Sequence, residues 1–569
     1  MGVRHAVGVS LACVLALGCY AGADASAETD DVASSGADGS GESGESGAAD
    51  DGGPAGACIP GDVPPLLRRL TVAEYQASVR DLLGVETSVL QDRFVVDASV
   101  HGFSNNASVQ SLLLPHARAY QDVAEIVAER LVDDAALRQE IVGCTPSGAT
   151  ADPCVADFAR VLAEAAYRRP VDAAVVEGLV ALAESSTDPD PWSRIDLVVR
   201  AVLQSPRFLF RIERGVPDPD DPAKLRLDGY EVATRLSYAL WQTTPDPWLR
   251  AAAADGTLDT ADGVAEAAAQ MLADPRARVA IEGFATAWLR LSALDDLGRN
   301  PQQFPEWSPA LRDAMRAEVA ALVADATLRE GNLAALWEGR DVWVDAALAE
   351  LYGLPAPQEQ GPVQVTLPED DDRGGLLGTA AVLAATTPND VTSPVRRGMF
   401  VWETLLCSPL PPPPPGVVGE LPPPQDLPKA QALAQHRDDP SCAGCHDQLD
   451  PIGVGLERYD ALGRRRTLDE GGQPVIERGS VPGLDDGEFG GAAQLSSKLA
   501  ELDDAHRCFA TQVLRWSMGR SESDADACLL DALGEAAREG DFAALVGVLV
   551  RSEAFRTRPV DAPSPAGSM

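Results

Sequence analysis

The chain has 569 residues, 45% of them hydrophobic and 23% charged, with a formal net charge of -41; that is apolar material for about three to five domains. The acidic balance excludes a nucleic-acid binder, which needs a basic footprint. The one long apolar stretch, Ala6–Leu17, is too short to span a bilayer, which excludes a polytopic membrane protein.

Basic residues are 43 Arg against 3 Lys, a compositional bias, so a lone Arg carries no argument without a motif around it. Arg4 and His5 followed by Ala6–Leu17 read as an export signal. Ala16-Leu17-Gly18-Cys19 resembles the sequence after which a cysteine is acylated, so residues 1–19 are predicted to be a lipoprotein-type signal, with Cys19 holding the protein to a membrane of the cell envelope. The alternative is cleavage after Ala25-Ser26-Ala27. Residues 20–57 are rich in Gly, Ser, Ala, Asp and Glu, and no Lys or Arg occurs between His5 and Arg68. Such a segment buries no apolar area and is predicted to be a solvated tether.

The rest reads as mainly α, several helical domains in series. A first helical domain spans 58–135. In it Thr71 and Glu74 form a capping box before Tyr75, Val79, Leu82 and Leu83, and Gly84 closes the helix; Ala119–Val132 is a second helix. A second domain, 144–216, holds Val155–Tyr167 and Ala173–Glu184. The linker Pro217–Pro222 leads to a third domain, 225–354, with helices over Glu231–Trp241, Val264–Leu272, Arg276–Leu291, Pro309–Arg329 and Leu333–Trp337. Val363–Leu367 alternates as a strand does, inside a second linker, Pro355–Asp372. The fourth segment, 373–470, contains the proline runs Pro411–Pro415 and Pro422–Pro424, read as stiff connectors. A C-terminal helical domain spans 480–560.

The fourth segment carries the chemistry. Cys442-Ala443-Gly444-Cys445-His446 is C-x-x-C-H, the attachment pattern of c-type haem. Two residues between the thiols let one turn of chain present both sulfurs to the two vinyl groups of one haem, and His446 follows as proximal iron ligand. A zinc site would need a second Cys/His pair nearby, and a thioredoxin-like redox pair a βαβ context; neither surrounds the motif. His436 is the first candidate for sixth ligand, with Met399 and Met518 next, and an open iron site is the further alternative. His101, His116 and His506 have no local pattern and read as ordinary residues. Eight cysteines lie beyond Cys13 and Cys19. With Cys442 and Cys445 assigned to haem, Cys144–Cys154 and Cys508–Cys528 are the expected disulfides, and Cys58 and Cys407 remain, either paired by elimination or left as free buried thiols.

Several motifs resemble one family. They are Pro65-Leu66-Leu67-Arg68-Arg69-Leu70-Thr71, Gly102-Phe103-Ser104-Asn105, Ala166-Tyr167-Arg168-Arg169-Pro170, Arg235-Leu236-Ser237-Tyr238-Ala239-Leu240-Trp241, Arg373-Gly374-Gly375, Ser393-Pro394-Val395-Arg396-Arg397-Gly398, Asp450-Pro451-Ile452-Gly453 and Cys508-Phe509. Together they resemble the planctomycete-type cytochrome c-like multi-domain proteins, built of several domains of unknown function, from about Leu66 to Arg558. The resemblance implies one covalent haem c in a cytochrome c-like segment near the C-terminal third, and implies no reaction. Where many members carry Met this chain has Leu449, so that position is no obligatory iron ligand. Apart from the haem motif, the Arg and Gly motifs are expected to be structural. The expected function is electron transfer to or from a redox partner. The alternatives are a haem-dependent enzyme, acting on a polymer or small substrate, and a surface scaffold with a structural haem.

Overall fold

Thr71 Oγ1 accepts the Glu74 N–H at 3.1 Å while a Glu74 carboxylate oxygen accepts the Thr71 N–H at 2.8 Å. Two of the open donors at the helix start are thus met, and the helix Val72–Leu83 runs until Gly84 turns the chain at φ 66°. The structure, a computed structural model, describes residues 67–560 except 330, 360, 370, 411–427, 439 and 477; the side chains of 436, 440 and 441 are also outside it. Cys19, Cys58 and the proline runs lie outside the described residues.

The described chain is mainly helical. Ala173–Glu184 occupies the residues its apolar period predicts. Most other helices start a turn or less before their first apolar residue, because the cap precedes it: Asp152 caps Pro153–Ala166 and Asp228 caps Gly229–Leu240. Helix Leu114–Asp133 begins five residues before its predicted start. His116 does the capping there, its Nδ1 accepting the Leu113 N–H at 3.2 Å. Strand Val363–Thr366 pairs antiparallel with Asp341–Val344, a partner four residues long.

The sequence segments do not make separate cores. Residues from Leu70 to Leu209 form one, in which Tyr75 sits 5.0 Å from Tyr120 and 5.4 Å from Phe208, ring centre to ring centre. Residues from Leu227 to Phe555 form the other, so the third, fourth and C-terminal segments are packed as one body. The two cores exchange aromatic side chains. Tyr238 of the third segment is buried in the first core, and Phe103 of the first segment is buried in the second, 6.2 Å from Phe284. Strands continue this interlocking: Arg68–Arg69 pairs with Phe210–Arg211, and Lys224–Arg226 pairs with both Val216–Pro217 and the C-terminal Thr557–Pro559. The expected linker at Pro217–Pro222 is therefore the bend of a small sheet that the chain end completes.

Cys144 and Cys154 are disulfide-bonded, with Cα atoms 5.8 Å apart. One expected pairing is corrected: Cys508 is joined to Cys407, not to Cys528, so that neither reading left open for Cys407, a bridge to Cys58 or a free thiol, holds. Cys528 is disulfide-bonded to another cysteine. The reason is helix geometry. Asp503–Met518 and Ala527–Glu539 form an antiparallel pair in which Gly534 lies against Arg507. Cys528 is six residues before Gly534, about 9 Å along the axis at 1.5 Å per residue, too far for a bridge to Cys508. Cys508 is 2% exposed and meets the turn after Val401–Leu405, where Cys407 sits.

Candidate haem-attachment helix

Cys442, Cys445 and His446 all lie on the helix Pro440–Val454. Positions i, i+3 and i+4 share a helix face, so both thiols and the imidazole point to the same side. Neither cysteine is in a disulfide, and both are partly exposed. His446 Nδ1 is 3.0 Å from Asp450 Oδ1, one turn further on; the histidine side chain is 21% exposed and the carboxylate 1%. The helix thus presents the motif at its partly open first half and buries Leu449, Asp450 and Ile452 in its second.

Burial of that second half depends on the neighbouring helix Pro394–Phe400. A Cβ on Gly398 would collide with the Leu449 carbonyl, and one on Gly453 with the Pro394 carbonyl. The two backbones touch, which any larger residue would prevent. Arg397, 1% exposed, donates to the carbonyls of Leu456 at 2.6 Å, Tyr459 at 2.8 Å and Asp460 at 2.9 Å. It fixes the chain as it leaves the motif helix.

A charged cluster holds the chain on either flank of the motif helix. Lys429 opens the helix Lys429–His436, which packs on the motif helix. Its ammonium lies 2.6 Å from Glu470 and 3.4 Å from Glu457, and donates to Thr392 Oγ1 at 2.7 Å. Arg466 pairs with both carboxylates at 2.8 Å. Burial alone would push the Glu470 carboxyl up, but Arg466 and Lys429 outweigh it and hold the group down at about 2. In a chain with three lysines, one of them thus anchors the segment preceding the motif.

The remaining candidates separate. His436 ends the Lys429–His436 helix, and its side chain lies outside the described residues. Met399 is on the helix that packs against the motif helix, whereas Met518 is 6% exposed in the second core and its carbonyl accepts from Arg68 at 2.5 Å. His506 lies 2.8 Å from the Ala500 carbonyl, a local contact. Asp450 was visible in the sequence only as part of Asp450-Pro451-Ile452-Gly453; its spacing of four from His446 on a helix is the signal that finds it. Among the described residues no group of three or more His, Cys, Asp or Glu could hold a metal ion, and no helix is long and apolar enough to cross a membrane.

Five families match the chain in order, each described as a protein of unknown function: DUF1587 over residues 68–133, DUF1595 over 154–213, DUF1592 over 227–354, DUF1588 over 373–469 and DUF1585 over 485–555. The chain carries five domains of unknown function in series. This set is known from planctomycete cytochrome-like proteins. The motif helix and its supports from Arg397 to Arg466 all fall within the DUF1588 match. No curated protein and no solved structure matches the chain.

Proposed function

We propose that the protein is an exported, single-haem c-type cytochrome that passes electrons to a redox partner at the cell envelope. The observation that carries this reading is the shared face of Cys442, Cys445 and His446, with Asp450 against His446 Nδ1. These residues fit the group. Each thiol would add across one vinyl group, its hydrogen going to the neighbouring vinyl carbon, and His446 Nε2 would ligate the iron. When bound, the haem supplies one-electron chemistry. The protein's part is to hold both sulfurs and the imidazole at fixed spacing, and to back them with a buried carboxylate.

Expression in a host with c-type haem maturation is expected to give protein that keeps haem through denaturing electrophoresis, seen as peroxidase staining. The Cys442→Ala/Cys445→Ala double variant should lose that stain completely. An unstained wild type would overturn the reading. A reversible midpoint on potentiometric titration distinguishes electron transfer from a scaffold whose haem does not cycle.

Anchoring belongs to the same proposal, resting on Ala16-Leu17-Gly18-Cys19 and the acidic stretch behind it. Cys19→Ser is expected to move the protein from the membrane fraction to the soluble fraction. A soluble wild type beginning at Glu28 would show that cleavage follows Ala27 instead.

A further inference from the structure

We infer that Asp450 is a positioning residue that selects the tautomer of His446 and thereby sets the electron affinity of the site; this rests on the haem reading above. A neutral imidazole has one N–H, and its location is decided by what the other atoms of the site accept. Asp450 offers a carboxylate oxygen 3.0 Å from Nδ1, and a carboxylate accepts only. The proton is therefore held on Nδ1, which makes Nε2 the ring atom that would ligate a metal.

An exposed i,i+4 pair would be a minor helix contact. This one is different because Asp450 is 1% exposed while His446 is 21% exposed. A buried carboxylate is unfavourable unless it is paired, so a helix that places one behind a partly open histidine sets the ring from its inner side. Gly398 and Gly453 lock the same stretch of helix against Pro394–Phe400, so the Asp450 backbone is fixed on both flanks. A carboxylate on Nδ1 makes the imidazole a stronger donor to iron and favours the ferric state.

Two measurements on the full chain test this. In protein made without haem maturation, nitrogen-15 NMR at pH 8 should show His446 with its proton on Nδ1; a proton on Nε2 would overturn the inference. In the haem-bearing protein, Asp450→Asn should keep the covalent haem stain while the ferric/ferrous equilibrium moves at least tenfold toward ferrous, a midpoint rise of about 59 mV for one electron. An unchanged midpoint with haem attached would also overturn it. If Asp450→Asn does not fold, the NMR result decides alone. A wild type that binds no haem defeats the haem reading, whereas either failure above defeats only the role of Asp450.

Discussion

Replacing Glu213 with Gln is expected to destabilise the protein by about 3–5 kcal/mol, the cost of leaving buried charges without their partner. Arg235 grips both Glu213 oxygens at 2.7 Å, and Arg68 reaches one of them at 3.1 Å. The same Arg235 donates to the carbonyls of Ala554 at 3.0 Å and Phe555 at 2.6 Å, and Arg68 to that of Met518. One carboxylate thus ties together the first strand, the end of the second segment, the first helix of the third, and the C-terminal segment. Burial would raise its pKa, but Arg235, then Arg68 and Arg211, overcome this and hold the carboxyl far below the usual range. Burial, with Arg211 beside it, brings Arg68 down to about 9. A carboxyl depressed on folding contributes stability that is present above its unfolded value and lost as pH falls below it. The expected contrast is Glu488→Gln, which breaks the Arg478–Glu488 pair, exposed at 78% and 72%, and should change stability by less than about 1 kcal/mol. Chemical denaturation of both variants at pH 7, followed by circular dichroism, measures the difference. A loss under 1 kcal/mol for Glu213→Gln would show that the remaining groups rearrange around the gap.

Local signals were legible in the sequence because their causes are local. Thr71 and Glu74 satisfy each other's backbone donors whatever surrounds them, and the period of Ala173–Glu184 follows from its own apolar residues. The motif is legible for the same reason, since three side chains within five residues fall on one helix face without tertiary help. Tertiary facts were not. Arg68-Arg69 reads as one more pair in an Arg-rich chain, and nothing within ten residues indicates that Arg68 meets Glu213 and Met518. The disulfide partner of Cys508 is set by which neighbour its helix faces, and closeness in sequence pointed to Cys528 instead of Cys407. Segment boundaries were visible as proline and acidic runs, but the merging of three segments into one core depends on side chains such as Phe509, Trp288 and Ile452 meeting across hundreds of residues. The Arg motifs read as structural, and they are: Arg168 donates to the carbonyls of Arg207, Phe208 and Phe210, and Arg373 to those of Gly378 and Gly463.

Glu318→Gln is expected to be as stable as the wild type below pH 4.5 and more stable by about 3 kcal/mol above pH 7. Glu318 is 0% exposed and accepts the Tyr352 hydroxyl at 2.6 Å. Burial dominates and pushes its carboxyl from 4.5 up to about 7, against the smaller opposing pulls of Tyr352 and Arg373. Arg373 makes no ion pair with it; the guanidinium lies 3.9 Å from the centre of the Tyr352 ring and donates to Gly378 and Gly463. The sign is opposite to that of Glu213. A carboxyl raised on folding binds its proton more tightly in the folded state, so its contribution is fully present below 4.5 and declines as pH rises to about 7. Gln mimics the protonated form in size and cannot ionise, so the variant escapes that decline. The contact also matters to the motif segment, because Tyr352 OH accepts the Ala380 N–H at 2.8 Å and so links the third segment to the fourth. Ionising Glu318 therefore loads the joint on which the motif-bearing segment is seated. Denaturation midpoints for the two proteins at pH 4, 5, 6, 7 and 8 should diverge from pH 4 to about pH 7 and level off above it. Parallel curves would mean that Glu318 ionises at an ordinary carboxylate pKa, and that the charge at this joint is accommodated without strain on the fold.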